Sequence, residues 1–172
     1  MVLDEFYTGT SFDAHSFFGA HEKEKGGFVF RVFAPGAERV ELIGDWNGWN
    51  GASMERDTGG IWSTEAEEAQ AGQLYKFRIY QKDGRVLDKA DPYAFAAELR
   101  PLTASRLVGK SHFRFSDEEW MRNRGLRYDL PMNIYEMHLG SWRRKPEGDF
   151  FTYRELAELL PGYLKENGFT HV

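Results

Sequence analysis

The chain is predicted to be mainly β: a β-sandwich over roughly residues 20–115, closed by a short helix, and then the strand-helix-strand opening of a parallel α/β fold. Three observations predict it. Through the first two thirds of the chain, short runs that alternate apolar and polar residues are separated by Gly, Pro and Asp turns. Near residue 116 the pattern changes to helical spacing. The 172 residues are 41% hydrophobic and 16% aromatic, which is enough material for a real core. The domains read as an N-terminal segment 1–19, a sandwich domain 20–125 and an α/β segment 126–172.

"FVFRVFAP" sets Phe28, Phe30 and Val32 against Val29, Arg31 and Phe33, and Pro35-Gly36 ends it as a strand. "RVELIG" at 39–44 follows, with Val40 and Leu42 on one face. "GGIWSTEAE" at 59–67 starts a third strand from a glycine turn, and Trp62 within it is expected in the core. "LYKFRIY" at 74–80 places Tyr75, Phe77 and Ile79 opposite Leu74, Lys76, Arg78 and Tyr80, and Asp83-Gly84 then signals a hairpin. Ser116 and Glu119 have capping-box spacing, with Gly125 as the helix stop that closes the first domain. "MNIYEMHLGSW" at 132–142 reads as a strand. Thr152 and Glu155 form a second capping box before Leu156, Leu159, Leu160, Tyr163 and Leu164, and Pro161 is expected to kink or split that helix. "FTHV" after Gly168 starts a further strand.

Composition excludes several functions. A net charge of -5 with 27 acidic residues spread along the chain leaves no basic face for nucleic acid or anionic lipid. "MVLDEFYTGT" has neither region of a secretory signal, and no apolar run reaches the roughly 20 residues of a membrane span, so a cytoplasmic location is expected. Without cysteine there is no disulfide or thiol chemistry. The five histidines, His15, His21, His112, His138 and His171, lack ligand spacing, so neither metal nor cofactor is expected.

The run "GDWNGWN" at 44–50 puts Trp46 and Trp49 in a turn. Such a ring either folds under the loop or stays out as a flat platform for the C–H face of a pyranose. Asn47 and Asn50 offer donors and acceptors to sugar hydroxyls at the rim, and Lys76 points to solvent if Tyr75 and Phe77 are core. Trp49 is the better candidate for exposure, with Trp46 half-packed. Glu136 and His138 share one face of the strand at 132–142, where they read as a hydrogen-bonded core pair or as a polar contact near a site. Trp142 lies beyond the C-terminal end of that strand, on the side where barrel active sites form.

"GDWNGWN", "GIW", "YKF" and "DKADPYAFAAELRPLTAS" resemble the family 48 carbohydrate-binding modules of glycogen- and starch-active enzymes. "YEMHLGSW" and "YRELAELLPGYLKENGFTHV" resemble the first strand, first helix and start of the second strand of a family 13 glycoside hydrolase barrel. Together they are similar to the N-terminal part of the branching-enzyme group, and "HLGSW" favours that group over debranching or trehalose-forming relatives. The resemblance implies an immunoglobulin-like sandwich followed by a truncated start of a (β/α)8 barrel. It implies a glycosyltransferase that cleaves α-1,4 glucan and transfers the segment to a 6-hydroxyl, giving α-1,6 branches in glycogen biosynthesis. The chemistry would be retaining, through a glycosyl-enzyme and an acid/base carboxyl. Those carboxylates fall on later barrel strands, beyond Val172, so the chain alone is expected to be inactive.

In glycogen-binding members of family 48 the site uses a tryptophan matching Trp49 and a lysine matching Lys76. A second stacking tryptophan falls where this chain has Val86, so a platform is missing and glucan binding by the module alone stays open. The implied partners are an α-1,4-glucan and the remainder of the barrel. Residues 126–172 would expose apolar surface made for that barrel, so disorder or dimerisation through this segment is expected. A stand-alone glycogen-binding adaptor is the alternative class, disfavoured by the strand, capped helix and second strand that follow the sandwich.

Overall fold

A computed structural model of the chain describes residues 3–111, 113–125 and 129–172; His112 and Leu126, where the α/β segment was expected to begin, lie outside the described residues. Two compact units are present, Met1–Phe113 and Arg114–Val172. In the first, helix α1 (Leu3–Tyr7) precedes ten strands. These are β1 (Gly19–Glu22), β2 (Phe28–Phe33), β3 (Ala37–Gly44), β4 (Ala52–Ser53), β5 (Glu55–Arg56), β6 (Ile61–Ala66), β7 (Leu74–Gln81), β8 (Val86–Lys89), β9 (Ala96–Ala97) and β10 (Ser105–Arg106). One sheet has the order β1-β2-β6-β5, the other β4-β3-β7-β10-β9, and all pairings are antiparallel. β8 pairs with β7 at Phe77–Tyr80, while β10 takes Leu74 and Tyr75. The result is an immunoglobulin-like sandwich.

Alternation positions the core. Phe28, Phe30 and Val32 of β2 face inward, as do Val40 and Leu42 of β3, and Tyr75 and Phe77 of β7, in one cluster with Trp62. Trp62 Nε1 donates to Ala34 O at 3.0 Å, so its one polar atom is satisfied. The intervening residues Lys76, Arg78 and Tyr80 form the outer face of the second sheet with Arg39 and Glu41 of β3. Among the described residues one charged side chain is buried: Asp91, 6% exposed, accepts from Tyr75 Oη at 2.6 Å and from Tyr93 N at 2.8 Å. Its own N–H donates to Ser105 Oγ at 2.8 Å, which ties the 91–93 segment to β7 and β10.

The second unit holds α2 (Glu118–Asn123) and α3 (Tyr153–Glu166) and differs from the sequence reading in four ways. Ser116 does not cap α2: Asp117 is the N-cap, without a side-chain bond, while Gly125 directly follows the C-cap Arg124, the position expected of a helix stop. The helix also groups with the second unit rather than closing the sandwich. Residues 132–142 form no ladder; Ile134 makes an isolated parallel bridge to His171, with α3 between them in sequence. An extended segment becomes a strand only when a neighbour takes up its N–H and C=O groups, and here the bridge supplies one partner over two residues. Pro161 does not split α3, which runs as one element through it. The proline forgoes only the donor that would reach Ala157 O. No helix among the described residues is long and apolar enough to cross a membrane.

The start of α3 is a reciprocal capping box. Glu155 Oε2 accepts from Thr152 N at 2.7 Å and Thr152 Oγ1 at 2.8 Å, and Lys145 Nζ binds Oε1 at 2.6 Å. The Lys145 ammonium first, and then the Thr152 donors, pull the Glu155 carboxyl down to about 2 from its ordinary 4.5. A depressed carboxyl stabilises the fold above the ordinary value and loses that effect as pH falls toward the depressed one. The first turn of α3 is therefore expected to fray between pH 4.5 and about 2, read by NMR Cα shifts of residues 153–156. In Glu155→Gln the transition disappears. Wild-type shifts that stay flat across this window would contradict the capping role.

Candidate glucan-binding site

The loop after β3 is built around its own backbone. Gly44 leads into a single 3-10 turn at Asp45–Asn47. A Cβ on Gly44 would stand 2.5 Å from the Trp46 ring and 2.8 Å from Leu74 O, so only glycine lets the chain pass here. Trp46 folds inward and stacks on Phe30, ring centroids 5.4 Å apart, as a partly buried member of the core. Asn47 turns inward too: its Oδ1 accepts from Gly44 N at 3.0 Å and its Nδ2 donates to Leu42 O at 3.2 Å. Its amide is thus committed to shaping the loop. Asn50 Nδ2 donates to Asn47 O at 2.8 Å, which leaves its Oδ1 without a protein partner among the described residues.

Trp49 points the other way. It is 36% exposed and adopts φ 61°, directly after Gly48 at φ 61°. Glycine takes that conformation freely, but a bulky L-residue does so at a cost of roughly 1–2 kcal/mol. Three hydrogen bonds hold it there. Trp49 N donates to Gly44 O at 2.9 Å, Trp49 Nε1 donates to Asp45 Oδ1 at 3.0 Å, and Asp45 Oδ2 accepts from Leu74 N at 2.8 Å.

Leu74 opens β7, and two residues further Lys76 lies on the same outer face. Lys76 Nζ donates to Thr103 Oγ1 at 2.9 Å, which brings the loop before β10 to this face. Beyond Lys76 the face is ionic. Arg78 grips Asp88 through two bonds at 2.8 and 2.9 Å, and this guanidinium holds the Asp88 carboxyl below the ordinary carboxylate range. Tyr80 Oη donates to Glu41 at 2.8 Å, Arg39 pairs with Glu41, and the Arg39 guanidinium lies 3.6 Å over the Tyr80 ring. Val86, 50% exposed and paired with Tyr80, adds no aromatic ring to this face. The face offers one exposed indole, one ammonium, a hydroxyl and an amide oxygen. Such a set can stack on a sugar ring and bond its hydroxyls.

Of the five residues expected at the site, Trp49, Lys76 and Asn50 present groups outward, whereas Trp46 and Asn47 build the loop beneath. Asp45 and Thr103 escaped the sequence reading. Asp45 stands four residues before Trp49, a spacing that one turn of 3-10 helix brings into contact; Thr103 is 27 residues from Lys76 and carries no local signal. In the second unit, Glu136 and His138 are exposed, and His138 bonds Ser141 at 3.2 Å rather than Glu136. In this chain the two side chains are thus not bonded to each other, and residues 132–142 form no ladder. Trp142 packs edge-on against Tyr163 at 5.3 Å and donates to Tyr135 Oη at 3.0 Å. Among the described residues no cluster of three or more His, Asp or Glu side chains could hold a metal ion.

Residues 17–94 match the family Carbohydrate-binding module 48 (Isoamylase N-terminal domain). Over 97% of its length the chain is 47% identical to the 1,4-alpha-glucan branching enzyme GlgB of Albidiferax ferrireducens, of which it covers 28%. To the 1,4-alpha-glucan branching enzyme GlgB of Bacillus caldolyticus it is 45% identical, again over 97% of the chain and 26% of the relative. The chain thus spans about a quarter of the length of the curated relatives it matches. Among solved structures, a putative alpha amylase from Salmonella typhimurium superimposes on 90% of the chain with a TM-score of 0.60 and 27% identity, over 24% of its own length.

Proposed function

We propose that the chain is the N-terminal, glucan-binding and structural portion of a 1,4-alpha-glucan branching enzyme, because residues 17–94 match carbohydrate-binding module family 48 and the chain as a whole is similar to such enzymes. The complete protein would cleave an α-1,4 bond and transfer the released segment to a 6-hydroxyl, making α-1,6 branches during glycogen biosynthesis in the cytoplasm. The observation that carries the reading is that relatedness runs through both units, not through the module alone. A binding adaptor would need only the first. Residues 114–172 then supply the opening β-α-β connection of the barrel, from Ile134 through α3 to His171. Exposed Met132, Ile134, Leu139 and Leu159 are the surface that the remaining barrel covers, or that a second copy covers when the barrel is missing.

Trp49 is the sugar platform in this reading, with Lys76 and Asn50 bonding hydroxyls beside it. Retardation of the chain in glycogen-containing native gels tests it. Removing the ring in Trp49→Ala takes away the apolar stacking surface and is expected to weaken glycogen affinity about tenfold, equivalent to about 1.4 kcal/mol. Equal retardation of the variant would overturn the assignment. For the enzyme reading, the longer polypeptide carrying this sequence should lower the iodine absorbance of amylose, whereas residues 1–172 alone should not. Branching activity from the 172-residue chain would overturn the placement of the catalytic carboxylates beyond it.

A further inference from the structure

We infer that Asp45 is the positioning residue of this site: its carboxylate is a strut that fixes the Trp49 ring at a set distance from Lys76, and glucan affinity depends on it. The inference rests on the reading of Trp49 as the sugar platform. Trp49 is the one non-glycine residue at positive φ among the described residues. Strained backbone persists where the surroundings over-determine it, and it gathers at functional sites. The core does not hold Trp49, which is 36% exposed and stands outside the core cluster. The polar contacts do. One Asp45 oxygen accepts from the indole at 3.0 Å, and the other accepts from Leu74 N at 2.8 Å. Leu74 and Lys76 are alternate residues of β7 on one face, so the strut joins the platform to the strand that carries the ammonium.

The strut also sets what the indole can offer. With its N–H given to Asp45, Trp49 presents ring faces and no donor, so its ligand must be recognised by stacking. The C–H face of a pyranose in an α-glucan has that chemistry, and Lys76, Thr103 and Asn50 are left to read its hydroxyls. Asp45 is itself exposed and is not a member of the core cluster, so its removal is expected to leave the sandwich intact.

The test uses the 172-residue chain with glycogen gels, maltoheptaose titration and NMR of the indole N–H signals. Asp45→Ala is expected to weaken maltoheptaose binding about fivefold to tenfold, the scale of a lost charge-assisted hydrogen bond. The Trp49 Hε1 signal should lose its protection from exchange while the thermal midpoint stays near wild type. Asp45→Asn keeps one acceptor but turns an amide N–H toward Leu74 N–H, so it should fall between wild type and Asp45→Ala. It also carries the test if the alanine variant fails to fold. In an Asp45→Ala, Trp49→Ala double variant the Asp45 effect should vanish, because the strut then has nothing to hold. Wild-type affinity in both Asp45 variants, with Trp49→Ala weakened, overturns the strut and leaves the platform standing. Wild-type affinity in Trp49→Ala, or no glucan binding by the wild-type chain, overturns both.

Discussion

Phe30→Ala is expected to cost the sandwich about 3–5 kcal/mol, the range for deleting a fully buried aromatic ring. Phe30 is 0% exposed and sits where three rings meet: Tyr75 edge-on at 5.2 Å, Trp46 stacked at 5.4 Å and Phe28 at 6.3 Å. Tyr75 belongs to the opposite sheet, so the ring bridges the two layers and the cavity could not close without moving one of them. Denaturant unfolding followed by near-UV circular dichroism would read the loss. A cost under about 1.5 kcal/mol, the scale of a volume-conserving swap, would mean that neighbouring rings collapse into the space. The same substitution should reach the proposed sugar face. Trp46 anchors the loop that carries Trp49, and without Phe30 its ring has no stacking partner, so glycogen affinity should fall although Phe30 never meets solvent.

How much of this was legible in the sequence follows from the range of each interaction. The strict alternation of β2 and β7 separates Phe30 and Tyr75 from Arg31 and Lys76, because the side-chain period of a strand is two and one face here is apolar. Thr152 and Glu155 were legible for a similar reason: a capping box is closed by residues three apart. The two-residue strands β4, β5, β9 and β10 were not. They exist only through partners such as Tyr75 for Ser105, and no local pattern announces a pairing across 30 residues. At 132–142 the apolar pattern is strand-like, yet a ladder needs neighbours that this chain does not place beside it. In the loop, composition identified two tryptophans but could not orient them. The glycine at 44, which leaves room for an inward Trp46, and the carboxylate at 45, which ties down Trp49, go with that choice.

Tyr75→Phe should cost about 2–3 kcal/mol at neutral pH, and less as the solution is made acidic. Tyr75 Oη is a donor to buried Asp91 at 2.6 Å, and its loss leaves a charge with only Tyr93 N from the protein. Burial pushes the Asp91 carboxyl up, against the Tyr75 and Tyr93 bonds and the nearby His21, which pull it down. The sign follows from that direction. A carboxyl raised in the folded state binds its proton more tightly there than in the unfolded chain. Its contribution is therefore fullest below the ordinary value of 3.8 and is lost as pH rises through the raised one. Deleting the Tyr75 hydroxyl removes a group that favours the charged form and lifts the folded value further, so the penalty grows with pH across that interval. Below it Asp91 is neutral in both states, and the residual cost should shrink to about 1 kcal/mol, that of one neutral hydrogen bond. Asp91→Asn supplies the control. Its oxygen can still accept from Tyr93 N and its amide can donate to the Tyr75 oxygen, but it carries no charge at any pH. Paired with Asp91→Asn, the Tyr75→Phe cost should become independent of pH in unfolding measured at pH 3, 5 and 7. A pH-independent cost in the otherwise wild-type chain would instead show that the folded protein already keeps Asp91 protonated at neutrality, with the carboxyl proton donated to Tyr75.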